Sequence, residues 1–299
     1  MKVSILSYIA DGEEIIARCG NSTSSETPPS EYQITKEDAR KFIKTAKKMR
    51  LSSVFDFPYI VYSLEDVSRS LTHQHVRHRI AAQMQQSFRY VKLSPKINEE
   101  PWFVIPPDMI EHGNETVVDY IHNQLETAET YNRLVERGVK PENARFALPI
   151  GTKTFVSTAM DPESLLHYID VRTCYDAQWE IRAAANALRT GMRFVYPNIF
   201  EGSGPSCFTS NVCIGRGKMA CKKDVVELTG KLEDVVAKNR EEFDGLEVNE
   251  KLRLDLTEHI GYKADRELEE EVGKEFGLDR INLGHEVKLE VAKRSCWLR

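Results

Sequence analysis

From Val67 to Asn98 the chain carries no carboxylate, yet it holds Arg69, Arg77, Arg79, Arg89, Lys92 and Lys96, with His73, His75 and His78 among them. Such a segment cannot neutralise itself. Nor can it be folded into an apolar core, because a guanidinium stays charged and needs acceptors. It must open onto solvent, onto carboxylates elsewhere in the chain, or onto an anionic ligand. The cations are not cleanly spaced at helical intervals, so a solvated basic helix face fits them poorly. The chain as a whole has 41 Lys and Arg against 46 Asp and Glu, a net −5. A wide basic face is therefore missing, and a nucleic-acid surface is excluded as the reason for these cations. The charge is also unevenly divided: residues 224–299 hold 13 basic and 20 acidic residues, or −7, which leaves +2 for residues 1–223.

At 299 residues the chain can form one large domain or two modest ones. Apolar residues at 41% and charged residues at 29% suit a soluble globular protein. The mean hydropathy of −0.44, with no apolar run near the length needed to span a bilayer, argues against a membrane helix. Met1-Lys2-Val3-Ser4-Ile5-Leu6 starts like a strand and lacks a signal-peptide apolar region. Six cysteines (19, 174, 207, 213, 221 and 296) are too few for a disulfide framework at this size, so a reducing, cytoplasmic setting is expected.

Periodicity alternates along the chain. Lys2–Tyr8 reads as a strand, Thr35 as the N-cap of a helix reaching about Met49, and 58–64 as a second strand. Helical spacing returns from Glu65 to His75, and 114–137 is the clearest helix, with Val117, Ile121, Leu125, Ala128 and Leu134 on one stripe. A strand at 153–158 and helices at 161–168 and 176–194 come next. The expected class is α+β: a mixed sheet with packed helices over residues 1–223, and an acidic, mainly helical C-terminal extension over 224–299.

The densest chemistry is Arg77-His78-Arg79, seven residues, then Ser87-Phe88-Arg89-Tyr90. Planar forks of donors suit phosphate oxygens or the carbonyl edge of a flat heterocycle. Ser87 and Arg89 lie two apart, so in an extended segment they would present a hydroxyl and a fork to one ligand. An anionic ligand explains the cluster best; a structural ion-pair network is the alternative.

These residues resemble the signature of the flavin-dependent thymidylate synthases. The surroundings agree: Leu64-Glu65-Asp66-Val67-Ser68-Arg69 and His73-Gln74 before it, and Gln85 and Gln86 within it. Asn143-Ala144-Arg145-Phe146-Ala147-Leu148-Pro149, Val171-Arg172-Thr173-Cys174 and Ala177-Gln178-Trp179-Glu180-Ile181-Arg182 look like later blocks of the family, in the same order. The likeness runs from residue 1 to about 223.

The resemblance implies reductive methylation of dUMP at C5 to dTMP by a homotetramer. Methylenetetrahydrofolate or a related pterin would give the carbon, NADPH the electrons, and FAD would relay hydride. It implies that Arg172 is catalytic, stabilising negative charge on the uracil ring. Gln74, Arg77, Gln85, Ser87, Arg89, Arg145 and Arg172 would hold the nucleotide. Arg77, His78, Arg79, Ser53, Asp161, Glu163 and His167 would meet the flavin. The chain departs from the family pattern at Leu51, at Asp56-Phe57, and at Asp161, Glu163 and Asp176, where carboxylates replace residues that are commonly Asn, Arg or His. Carboxylates beside a pyrophosphate repel it. Two alternatives stay open: a divergent enzyme methylating another pyrimidine nucleotide such as UMP, and a non-catalytic nucleotide-binding protein without FAD.

No nucleophile is required, so Cys174 is expected to be a small buried residue. Cys207, Cys213 and Cys221 fall within 15 residues and could bind zinc with Cys296 or a His, although their spacing is not that of a zinc knuckle. Beyond residue 223, Val225, Leu228, Leu232, Val235 and Val236 form an amphipathic helix, and Glu267–Glu271 a solvated helix face.

Overall fold

Val3 and Ile5, two apart, point into the core, the alternation that makes Lys2–Tyr8 a strand, β1, and a register shift between Ile5 and Ser7 then leaves Ser7 exposed and buries Tyr8. In the computed structural model, which describes residues 1–93, 100–217 and 219–294, β1 lies inside a six-stranded sheet. The other strands are β2 (Ile60–Ser68), β3 (Ala82–Gln85), β4 (Lys153–Met160), β5 (Lys251–Asp255) and β6 (Lys288–Ala292), in the order β3-β4-β2-β1-β6-β5. Every pairing is antiparallel except β1 with β6, which is parallel and sets Lys2 beside Lys288. The α+β class with a mixed sheet is what the structure has. Lys96 and Cys296 lie outside the described residues.

Several local expectations hold at the residue level. Thr35 caps Lys36–Met49 in a reciprocal capping box with Asp38, and 114–136 is one helix. The segment from Glu65, helical by its spacing, is instead strand as far as Ser68. A bulge between Leu64 and Val67 lets β2 regain register with β4, and Asp66 takes a left-handed backbone (φ 56°) to form it. The helix begins at Arg69. The helix Gly12–Ser22 is one that the sequence pattern does not announce.

Trp179–Val195 is the helix that organises the core. Ala184, Ala187, Leu188 and Met192 are fully buried, and the small residues bring it close to the sheet. At Gly191 an added methyl would meet Ile5 at 3.1 Å and Leu289 at 3.2 Å, so this helix touches both β1 and β6.

The C-terminal segment is not confined to helices. The helix Lys222–Gly245 straddles residue 223, and residues 246–294 supply β5 and β6 to the same sheet. Leu252, Leu289 and Val291 join the core that holds Val3 and Ile5. A second apolar cluster ties Val117 and Ile121 of the 114–136 helix to Val272, Ile281 and Leu283. The five-residue strands carry too little alternation to stand out in so charged a stretch.

Candidate functional site

The site begins where β2 ends. Ser68 caps the helix Arg69–His75, and the buried carboxylate of Glu180 accepts both the Ser68 amide (2.8 Å) and its hydroxyl. Glu180, from the 177–182 block, thus anchors the helix that carries Gln74. At the other end His75 is fully buried between Thr158 (2.9 Å) and the Tyr168 hydroxyl (3.2 Å). Burial, then the neighbouring His78 and Arg172, pushes its pKa down to about 3, so it is neutral. It pins the 77–79 turn against β4 and the helix Pro162–Arg172.

Arg172, on the last turn of that helix, donates Nε–H to His78 Nε2 at 2.9 Å and Nη2–H to the Gln74 carbonyl at 3.0 Å. His78 therefore accepts at Nε2 and keeps its proton at Nδ1. Burial and then the Arg172 charge lower its pKa to about 4. Two of the guanidinium's donors are committed to its own fold and the remaining edge is left for a ligand.

Arg172 and His78 line a cavity of about 840 Å³ together with Arg77, Arg79, Ile80, His167, Tyr59 and three carboxylates, Asp56, Asp161 and Glu163. Arg77 and Arg79 are exposed, and their side chains make no hydrogen bond or ion pair among the described residues. Asp161 is the N-cap of Pro162–Arg172, with its carboxylate taken by the Ser164 amide (2.7 Å) and hydroxyl (2.9 Å). Glu163 is pushed up chiefly by burial and then by Asp56 and Asp161. The cavity is thus cationic on one wall and acidic on the other.

A second cluster lies beside β3. Arg89 pairs with Glu142 at 2.8 Å, and Arg145 donates to the Glu142 carbonyl at 3.1 Å. Arg69 stacks on Phe88 (4.0 Å) and donates to the Gln86 carbonyl (2.8 Å); burial and then Arg145 lower its pKa. Three guanidiniums meet here with one carboxylate, which is the composition of a phosphate site. Gln85 donates to Thr72 at 2.7 Å. Ser87 and Arg89 do not share an extended strand: 87–91 is a turn closed by the Tyr90 and Val91 amides on the Ser87 carbonyl, and the Arg89 amide donates to the Ser87 hydroxyl. Arg69 is a member of this cluster that sequence reasoning does not place in the site, although it stands in the acid-free run and ends the 64–69 block.

Other expected residues are placed elsewhere. Ser53 sits in the turn Ser52–Asp56 but not on the cavity wall, whose contribution from that turn is Asp56. Asp176 pairs with Arg216 at 3.1 Å rather than facing the cavity. Cys174 is half-buried, under the 213–217 loop, where an added methyl at Gly215 would meet its sulfur at 3.1 Å. Among the described residues no three His, Cys, Asp or Glu side chains converge as a metal requires, so zinc on Cys207, Cys213 and Cys221 is not supported. Cys207 lies on the short helix Ser206–Thr209, Cys213 in a loop against the Gly215 carbonyl, and Cys221 at the start of Lys222–Gly245. No described helix is long and apolar enough to cross a membrane.

Residues 4–198 match the family model described as thymidylate synthase complementing protein. A flavin-dependent thymidylate synthase from Clostridium tetani is 32% identical over 241 residues, covering 75% of this chain and 94% of that protein. The chain belongs to the flavin-dependent thymidylate synthase family. The flavin-dependent thymidylate synthase from Sulfolobus acidocaldarius is 33% identical over 212 residues (69% of this chain, 78% of the relative). That from Pyrococcus horikoshii is 41% identical over 171 residues (56% and 70%). The solved structure of a UMP/dUMP methylase, PolB from Streptomyces cacaoi, shares the fold with a TM-score of 0.57 at 18% identity, covering 67% of this chain and 92% of that one. As a flavin-dependent thymidylate synthase-like methyltransferase, this chain is an enzyme, and its blocks around Arg77 and Arg145 fall inside the matched region.

Proposed function

We propose that this enzyme methylates dUMP at C5 to give dTMP, with methylenetetrahydrofolate or a related pterin as carbon donor, NADPH as reductant and FAD in the 840 Å³ cavity. One observation carries the reading: the Arg172 fork, fixed by His78 and the Gln74 carbonyl, opens onto a cavity whose Arg77 and Arg79 have no acceptor of their own among the described residues. A guanidinium held this way suits a ring that must carry negative charge between its carbonyl oxygens.

The residues present fit a flavin. Arg77 and Arg79 offer unpaired forks to a pyrophosphate, while the carboxylate wall suits ribose hydroxyls and other donors. FAD would supply hydride transfer. The chain's own residues do the rest. Arg89, Arg145 and Arg69 take the nucleotide phosphate, with Arg89 giving up Glu142 to do so. Gln74 and Gln85 border the base, Arg172 stabilises charge on the uracil oxygens, and neutral His78 orients Arg172 without adding a second charge. The homotetramer and the cytoplasmic setting belong to the same proposal; exposed Ile80, Met84, Phe146 and Phe155 around β3 supply apolar surface for self-association.

The test is the visible spectrum of the purified protein, followed by turnover. A yellow protein that forms dTMP from dUMP supports the proposal. A colourless protein that takes up no FAD sinks it, and preference for UMP overturns the substrate.

A further inference from the structure

A second cavity, of about 600 Å³, lies where β1, β2 and β4 meet residues 100–105 and 282–288. It shares no lining residue with the cavity beside Arg172. None of the side chains assigned to nucleotide or flavin faces it.

Its polar groups are unusual in lacking partners. The half-buried ammonium of Lys153, on β4, has no hydrogen bond or ion pair among the described residues, and Asp66, Glu100 and Glu180 act on it only from a distance. The indole N–H of Trp102 is buried and makes no hydrogen bond. His285, 7% exposed, has a buried Nε2 without a partner; its ring packs edge-on against Trp179 at 4.6 Å. Buried polar atoms are almost always satisfied, because an unpaired one has given up its hydrogen bond to water for nothing. Two such atoms, beside an ammonium without an ion pair, are costly around one cavity unless something else satisfies them.

The charges narrow the chemistry. Lys2 is committed to Glu65 at 2.8 Å and Lys288 to Glu286 at 2.6 Å, while Glu100 accepts from Asn282 at 3.1 Å. Among the described residues Lys153 is the unpaired lysine of the wall and Asp66, exposed at the β2 bulge, its unpaired carboxylate. Lys153 and Trp102 together form a donor pair for an oxyanion, and Asp66 accepts from a donor on the same molecule.

We infer that this cavity binds a small organic acid that also carries an amino or hydroxyl group, its carboxylate on Lys153 and Trp102 and its donor on Asp66. The site is built jointly by the family-matched region and the C-terminal segment, since His285 comes from the latter.

Trp102 provides the readout. Intrinsic fluorescence of the full chain is titrated with each of the twenty amino acids, with malate and citrate, and with inorganic phosphate as the oxyanion lacking a donor. Expected is a saturable change with at least one acid, weakened at least tenfold in Lys153→Met and in Asp66→Asn, and abolished in Trp102→Phe. The response should survive Arg145→Ala, which separates it from failure of the nucleotide site. Circular dichroism and thermal melting confirm that each variant is folded. Saturable binding of phosphate alone would overturn the role of Asp66. No saturable response to any probe, or one unchanged in Lys153→Met, overturns the site.

Discussion

The Nε–H of Arg172 points at His78 Nε2 from 2.9 Å, across 94 residues of sequence. The pair can form because the imidazole is neutral, and burial together with the guanidinium beside it keeps it so. Replacing Arg172 by Lys keeps the charge and removes the fork. Methylation should then slow by about 100-fold or more, the usual loss when a donor to developing negative charge is removed. His78→Asn keeps an acceptor and should cost less. Steady-state kinetics on dUMP decide it, and Arg172→Lys at wild-type kcat would remove Arg172 from the chemistry.

Glu142 occupies Arg89 at 2.8 Å, as a nucleotide phosphate would. Glu142→Gln releases that arginine, so dUMP should bind several-fold more tightly, with a steeper dependence on salt. Arg145→Ala should weaken it by at least tenfold. Calorimetric titration of both variants measures the two directions, and weaker binding in Glu142→Gln would make Glu142 an organiser of Arg89 rather than its competitor.

Burial, with Asp56 and Asp161, raises the Glu163 pKa at the acidic wall. As the solution is taken from neutral to acidic pH, Glu163 takes up its proton sooner than an ordinary carboxylate and repels a pyrophosphate less, so FAD affinity should rise. Glu163→Gln should bind FAD more tightly at the higher pH and lose the trend. Flavin fluorescence quenching at both pH values measures this.

His75 and His285 are held neutral with pKa values of about 3, against 6.5 in an exposed imidazole. The unfolded chain takes up protons as pH drops through 6.5, and the folded chain does not. Stability from these histidines is therefore complete above that value and lost as pH falls toward 3, by roughly 2 kcal/mol for each at about pH 5. Urea denaturation of His75→Gln should show a shallower loss between about pH 7 and pH 5 than the parent. An identical slope would mean that His75 titrates freely.

The legible part of the sequence is local. Thr35 and Asp38 announce a helix start within four residues, and the stripe from Val117 to Ala128 needs only its own spacing. The cations from Arg77 to Arg89 are legible as a site because no core can hold them. Non-local pairings are not legible. Glu142 meets Arg89, and Arg216 meets Asp176, only after the chain has folded back. The bulge at Asp66 hides the end of β2 behind residues that suit a helix equally well. β5 and β6 are too short to outweigh the charge around them.

Residues 1–223, expressed alone, should not fold. Without β6 the inner edge of β1 is unpaired, and Val3 and Ile5 lose Leu289 and Val291 from their core. Solubility and near-ultraviolet circular dichroism of that fragment test this, and a cooperative melt would refute it.

The parallel pairing of β1 with β6 also sets an order of events during synthesis. Of the six strands of this sheet β1 is made first, yet it receives one of its two neighbours from residues 288–292. Until then β1 and β2 can form only a partial sheet with one bare edge, a long-range closure that slows folding and exposes that edge to other chains. Chaperone demand for this protein should therefore depend on how fast the stretch between β2 and β6 is translated.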